Sequence, residues 1–276
     1  MRINHNMSAY NAHRQLSFNN TQQGKSLEKL SSGYRINRAA DDAAGLAISE
    51  KMRNQIRGLE QASKNSLDGI SLIQTAEGAL NETHAMLQRM SELMVQGANE
   101  VLTTSDAAKI DTEISQLSQQ ITSVAEQTQF NQKKLMAEDI TLTFQVGANE
   151  GEVIAVDLKK ADATTLGVAT LTPLEGVGAT ELNAKATENL TKIQTAINTV
   201  SGLRSNLGAV QNRLEHTINN LGTTAENLQA AESRIRDVDM AKEMSNFTKN
   251  NILNQAATAM LAQANQQPQG VLQLLR

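Results

Sequence analysis

The sequence predicts a mainly α fold: a long antiparallel helical or coiled-coil bundle with paired terminal helices and a small β-hairpin region. Three observations carry this expectation. Apolar residues recur at helical and heptad spacing over three long stretches. Only two prolines, Pro173 and Pro268, interrupt the 276 residues, so nearly all the chain is free to be helical. Aromatic residues are 2% of the chain and Trp is absent, so Leu, Ile, Val, Met and Ala must supply the burial. A core of that kind suits helices lying side by side better than a globule.

The two ends are built alike. Residues 1–42 and 233–276 read as uncapped helical stretches, rich in Asn, Gln and Ala and only weakly apolar. Thin amphipathic ends of this sort cannot make a core alone, so they must pair with each other or with other copies of the chain.

Between them, the stretch from Asp41 to Asn99 reads as one helix, with Asp41 and Asp42 suited to its N-terminus, where free amides and the dipole favour carboxylates. Ile56, Leu59, Ile70, Ile73, Leu80 and Leu87 form one stripe. Leu72, Ala76, Ala79, Met86, Met90 and Leu93 widen it, which predicts neighbours on more than one side. After the break at Thr103-Thr104-Ser105, a second helix begins near Asp106, and its Ile110, Ile114, Leu117, Ile121 and Val124 alternate by four and three. A third helix starts near Asn183 and keeps the same spacing through Ile193, Val200, Leu207, Leu214 and Leu221, interrupted at Arg204. Gly58, Gly69, Gly78, Gly97, Gly202, Gly208 and Gly222 lie inside these helices, each at about 1 kcal/mol relative to Ala. They are either helix breaks or points of close approach between helices or subunits.

Ile140 to Val146 alternates with period two, Gly147-Ala148-Asn149-Glu150-Gly151 turns the chain, and Val153 to Leu158 follows, which predicts a β-hairpin. Residues 159–182, with Gly167, Pro173, Gly176 and Gly178, read as a short irregular link. The resulting division is 1–42 for the N-terminal helix, 43–182 for the long helices, hairpin and link, 183–232 for the returning helix, and 233–276 for the C-terminal helix.

Composition and motifs exclude most chemistry. A net charge of −4 argues against nucleic acid as a partner, since phosphate binding needs a concentrated basic surface. The charge is uneven, with Arg14, Lys25, Lys29, Arg35 and Arg38 near the N-terminus and acids gathered over 138–181, which fits a solvated or self-complementary surface. Arg2 has no apolar run behind it, so no cleaved secretory signal is expected. No apolar stretch of about 18 residues could insert in a membrane. The absence of Cys removes disulfides, thiolate zinc sites and a Cys nucleophile. Gly24-Lys25-Ser26 lacks the earlier glycine of a phosphate loop, Asn19 standing in its place. His5, His13, His84 and His216 are too scattered to hold a metal, and His84 reads as a helix-packing residue. Capping explains Asp41 and Asp42 better than acid–base chemistry does. No cofactor, no metal and no enzymatic activity are expected.

Several long motifs carry a resemblance. They are LEKLSSGYRINRAADDAAGLAISEKMRNQIRGLEQASKNSLDGISLIQTAEGAL at 27–80, QTQFNQKKLM at 127–136, FQVGANEGE at 144–152, and ESRIRDVDMAKEM followed by NILNQAATAMLAQANQQPQGVLQLL towards the C-terminus. In this order they resemble bacterial flagellin, the subunit of the flagellar filament.

The resemblance implies a structural, self-assembling protein of the extracellular filament that serves motility, with terminal helices pairing as coiled coils in the innermost layer. It implies an outer insert between about Leu158 and Glu181, too short for an outer domain. The partners it implies are other flagellin copies as a homo-polymer, a filament cap protein, a flagellar export chaperone on the C-terminal helix, and the type III export apparatus. A host toll-like receptor is implied as well, reading a face that corresponds to Arg89, Leu93 and Glu113. Ser91 and Met94 depart from the family there, where Arg and Ala are common. The plainer reading, favoured for the protein's own biology, makes Leu93 a core residue and Arg89 a solvated helix charge. An alternative within the same appendage is a hook–filament junction or other rod-like axial protein.

Overall fold

The computed structural model describes residues 6–99, 103–174 and 179–274. Met1 to His5, the link glycines Gly176 and Gly178, Leu275 of the C-terminal motif and Arg276 lie outside them. In chain order the elements are α1 (Met7–Ser32), α2 (Ala43–Gly97), α3 (Thr104–Gln127), β1 (Gln129–Phe130), β2 (Lys133–Lys134), β3 (Ile140–Gln145), β4 (Val153–Leu158), α4 (Ala179–Arg236) and α5 (Met240–Leu274). The chain is mainly α, as the periodicity predicts, and it carries two small antiparallel strand pairs, of which β3–β4 is the predicted hairpin. It forms two compact units, Arg57–Ala225 and Met1–Ile56 with Glu226–Arg276.

The unit of residues 57–225 holds a continuous apolar core. Ile73, Leu80, Leu87 and Met90 of α2, Ile110, Ile114 and Ile121 of α3, and Ile193, Val200 and Leu214 of α4 are buried in it. These are the residues that the helical and heptad spacing selects. Where the α4 seam carries Arg204, Glu77 of α2 answers it at 3.5 Å.

The hairpin β3–β4 pairs Phe144 with Ile154 and Leu142 with Val156. Alternation aims Ile154, Val156 and Leu158 into the core, while Val153 and Ala155 stay exposed. Gly58 of α2 receives Ala148 of the hairpin loop so closely that an added Cβ would stand 2.9 Å from the Ala148 Cβ. Gly69 is likewise a contact point, against Leu214 and Phe144. Gly78, Gly202, Gly208 and Gly222 have open space where a side chain would stand. Six of the seven glycines lie within their helices without breaking them, and Gly97 is the last residue of α2.

Two features of this unit differ from expectation. Strands β1 and β2 form a second, minimal hairpin whose turn residues, Asn131 and Gln132, have positive φ of 48° and 65°. Two residues per strand leave no alternation to read, and Gln is an unusual residue for that backbone. Of the stretch after β4, expected as a link over 159–182, residues 159–174 have no regular structure yet build the core, with Ala161, Ala163, Leu166, Val168 and Leu174 buried, and its last four residues already belong to α4. Asn189, fully buried on α4, accepts from the Thr172 amide and hydroxyl and donates to the Thr172 carbonyl. Asp111 of α3 accepts from the Leu174 amide at 2.7 Å. Side chains thus replace a strand partner for this backbone.

Candidate self-association surface

The other unit, residues 1–56 with 226–276, is organised differently. Its helices α1 and α5 run antiparallel, with Asn6 Nδ2 donating to the Ala264 carbonyl at one end and Tyr34 bridged to Asp237 at the other. Contrary to the expectation of uncapped ends, both helices are capped. Asn6 Oδ1 accepts from the Ala9 amide, and Gly33, in the left-handed region at φ 76°, closes α1 onto the Lys29 carbonyl. Asp239 accepts from the amides of Ala241 and Lys242 at the start of α5.

The chain segments that join these helices are tied together. Arg236 lies over the Tyr34 ring at 4.8 Å and pairs with Glu50 at 2.8 Å. The Arg35 amide donates to the Arg236 carbonyl, and the Val238 amide to the Gly33 carbonyl. Asp42 caps α2 through the Gly45 amide, while Asp41 holds the preceding turn by accepting from the amides of Asn37 and Arg38. Those backbone bonds, the Arg38 amide foremost, hold the Asp41 carboxyl below its ordinary value. Sequence reasoning assigned Arg236 no role; its only signal is a place within the ESRIRDVDMAKEM motif.

The α1–α5 pair turns the usual pattern around. Asn19, Ser26 and Asn254 are buried, and Asn254 Nδ2 donates to Gln23 Oε1 at 2.5 Å. Large apolar side chains face outwards: Tyr10 and Phe18 of α1 are 73% and 57% exposed, and Met244, Ile252 and Met260 of α5 lie between 56% and 61%. Ile36 is the single fully buried apolar side chain among the described residues of this unit. On α5 the exposed positions Met240, Met244, Thr248, Ile252, Ala256 and Met260 follow one another at intervals of four, the row that forms a ridge for packing against another helix. Fully burying each large apolar side chain is worth about 1.5–3 kcal/mol. Half a dozen of them would contribute on the order of 10 kcal/mol before the cost of ordering the chains that cover them.

The receptor-facing residues inferred from the motif lie in the unit of residues 57–225, and they separate by burial. Arg89 and Glu113 are exposed and form an ion pair at 2.9 Å, with Glu92 a second partner of Arg89 at 3.2 Å. The hydrogen bonds that Arg89 donates to Glu113 and then to Glu92 raise its pKa. Leu93 is 2% exposed, inside the core, so its side chain offers no outer surface. His84 is half-buried beside Gln88, in keeping with a packing role. Among the described residues no cluster of three or more metal-ligating side chains occurs, and no helix is long and apolar enough to cross a membrane.

Residues 3–141 match the bacterial flagellin N-terminal helical region, and residues 190–275 match the bacterial flagellin C-terminal helical region. The chain belongs to the bacterial flagellin family. It is 59% identical to the flagellin of Halalkalibacterium halodurans over 277 aligned positions, covering all of both chains. With the flagellin of Bacillus subtilis it shares 56% identity, again over the whole of both chains. A solved structure of a putative flagellar hook-associated protein from Vibrio parahaemolyticus has the same kind of fold at 14% identity. Its TM-score is 0.59, and the match covers 71% of this chain and all of that one. High identity along the entire length to flagellins decides between a filament subunit and another axial component. This flagellin is a structural subunit, not an enzyme, and it polymerises into the extracellular filament of the flagellum.

Proposed function

We propose that the α1–α5 pair is the part of this flagellin by which copies join, and that it gains its full order only in their company. The observation that carries this reading is the outward apolar display on α1 and α5 over a seam of buried Asn and Ser. A pair built this way has little to hold it together in water and much to gain from a neighbour. Export follows the same logic: the chain travels through the type III apparatus, a chaperone covers the C-terminal helix from about Ile235 onwards, and subunits add beneath a cap protein. Covering α5 before export hides the ridge that would otherwise pair too early.

Deleting residues 241–276 tests the proposal. The shortened chain is expected to remain a helical monomer that does not elongate filament seeds. Sedimentable filaments from the shortened chain would show that the joining surface lies elsewhere.

Arg89 and Glu113 form the outward part of a patch that a host toll-like receptor reads, with Leu93 supporting it from beneath. Arg89→Ala removes both ion pairs of that patch and should lower signalling in a receptor-reporter cell at least several-fold. An unchanged response would remove the patch from the recognition surface.

A further inference from the structure

Among the described methionines of this flagellin, the fully buried ones lie in one unit and the exposed ones in the other, with Met86 and Met52 half-buried in the two respectively. Met90, Met94 and Met136, in the unit of residues 57–225, are 0%, 1% and 2% exposed. In the other unit Met7, Met240, Met244 and Met260 are 64%, 51%, 56% and 61% exposed. Three of these lie on the exposed α5 row of fours, and Met7 opens α1. Because α1 and α5 run antiparallel, with Asn6 bonded to Ala264, Met7 and Met260 stand towards one end of the pair and Met240 and Met244 towards the other.

We propose that Met7, Met240, Met244 and Met260 are oxidation sites that control assembly: a peroxide converts them to sulfoxides in the free subunit, and the sulfoxides block polymerisation until they are reduced. The inference rests on the reading that assembly covers α1 and α5. In the chemistry the thioether sulfur attacks one oxygen of hydrogen peroxide. The O–O bond breaks and an S–O bond forms, and the peroxide is reduced to water with its proton passing to the leaving oxygen. The sulfur is oxidised by two electrons, and two thiols restore it through a methionine sulfoxide reductase, leaving a disulfide and water. Oxidation replaces a flexible apolar side chain by a polar, strongly hydrogen-bond-accepting one. On a ridge meant for a helix partner, that oxygen would be buried without a donor. The buried methionines of the other unit are shielded, so the folded core serves as an internal control.

The test uses full-length monomer exposed to hydrogen peroxide, with peptide mass spectrometry to locate the sulfoxides and seeded elongation to read assembly. The four exposed methionines are expected to oxidise well before Met90, Met94 and Met136. Elongation is expected to slow at least tenfold and to recover after treatment with methionine sulfoxide reductase and dithiothreitol. A variant carrying Met7→Leu, Met240→Leu, Met244→Leu and Met260→Leu keeps volume and apolarity and should elongate at the same rate with or without peroxide. Undiminished elongation by wild-type subunits bearing all four sulfoxides would overturn the inference, and so would peroxide sensitivity in the leucine variant. If that variant does not assemble at all, the reductase arm decides, and failure to recover overturns the proposal. Equal oxidation of these methionines in filaments and monomers would instead sink the reading of α1 and α5 as covered in the polymer.

Discussion

Gly58 and Gly78 sit on the same helix and demand opposite things of a side chain. At Gly58 an added Cβ would meet the Cβ of Ala148 at 2.9 Å and its Cα at 3.3 Å, so the hairpin loop must move. At Gly78 nothing lies within 4 Å, and Ala there gains helix propensity of about 1 kcal/mol. Denaturant unfolding of the monomer should therefore show Gly78→Ala more stable than the parent and Gly58→Ala less stable by about 1–3 kcal/mol. In sequence the two glycines look alike, because what distinguishes them is a residue 90 positions away in one case and open space in the other. Leu93 illustrates the same limit. Its spacing places it on the widened α2 stripe, but only its neighbours decide that it is closed off while Arg89, one turn away, stays exposed with Glu113.

At the scale of elements, the α1–α5 pair shows how a weak apolar pattern becomes structure. Both terminal helices were legible from composition, as was their need for a partner. Their caps at Asn6 and Asp239 were not, since Asn and Asp occur throughout these stretches and only the backbone tells which one ends a helix. The buried Asn254 has one polar atom bonded to Gln23 and its Oδ1 without a partner. A polar residue at such a seam fixes register at a cost in stability. Asn254→Leu should then slow hydrogen exchange of the α1 and α5 amides in the monomer, reflecting a gain of about 1 kcal/mol. Unchanged or faster exchange would mean that Asn254 stabilises the pair rather than only setting its register. The hairpin β3–β4 was legible because six residues per strand give a full alternation. The stretch after it reads as loop in sequence but packs as core, because Asn189 and Asp111 supply its backbone with partners from two different helices.

At the scale of the molecule, carboxylates set the acid limit of the unit formed by residues 57–225. The Thr103 hydroxyl beside Asp106, the Lys160 amide beside Asp139 and the Asn149 side chain beside Glu152 each lower the acid's pKa. Burial raises that of Asp162, but Thr165 and Lys160 outweigh it, and the net shift is again downwards. Folded values below the ordinary 3.8 for Asp and 4.5 for Glu mean that the unfolded chain binds protons first as pH falls. Stability from these groups is therefore complete above those ordinary values and is lost as pH drops through the lower folded ones. Urea titrations should give the same midpoint at pH 7 and pH 5.5 and a lower one at pH 2.5. A midpoint that rose in acid would mean that the carboxylates repel one another more than their donors stabilise them.

The sequence by itself determined the helices, the main hairpin and the family, because spacing, turn residues and long motifs are local properties that survive without coordinates. It also determined that the ends must find partners, since too few apolar residues lie on them to make a core. Only the tertiary structure decided which way those residues face. Burial is a property of neighbours far apart in the chain, and here it turns Asn19, Ser26 and Asn254 inwards and leaves Tyr10, Ile252 and four methionines in water.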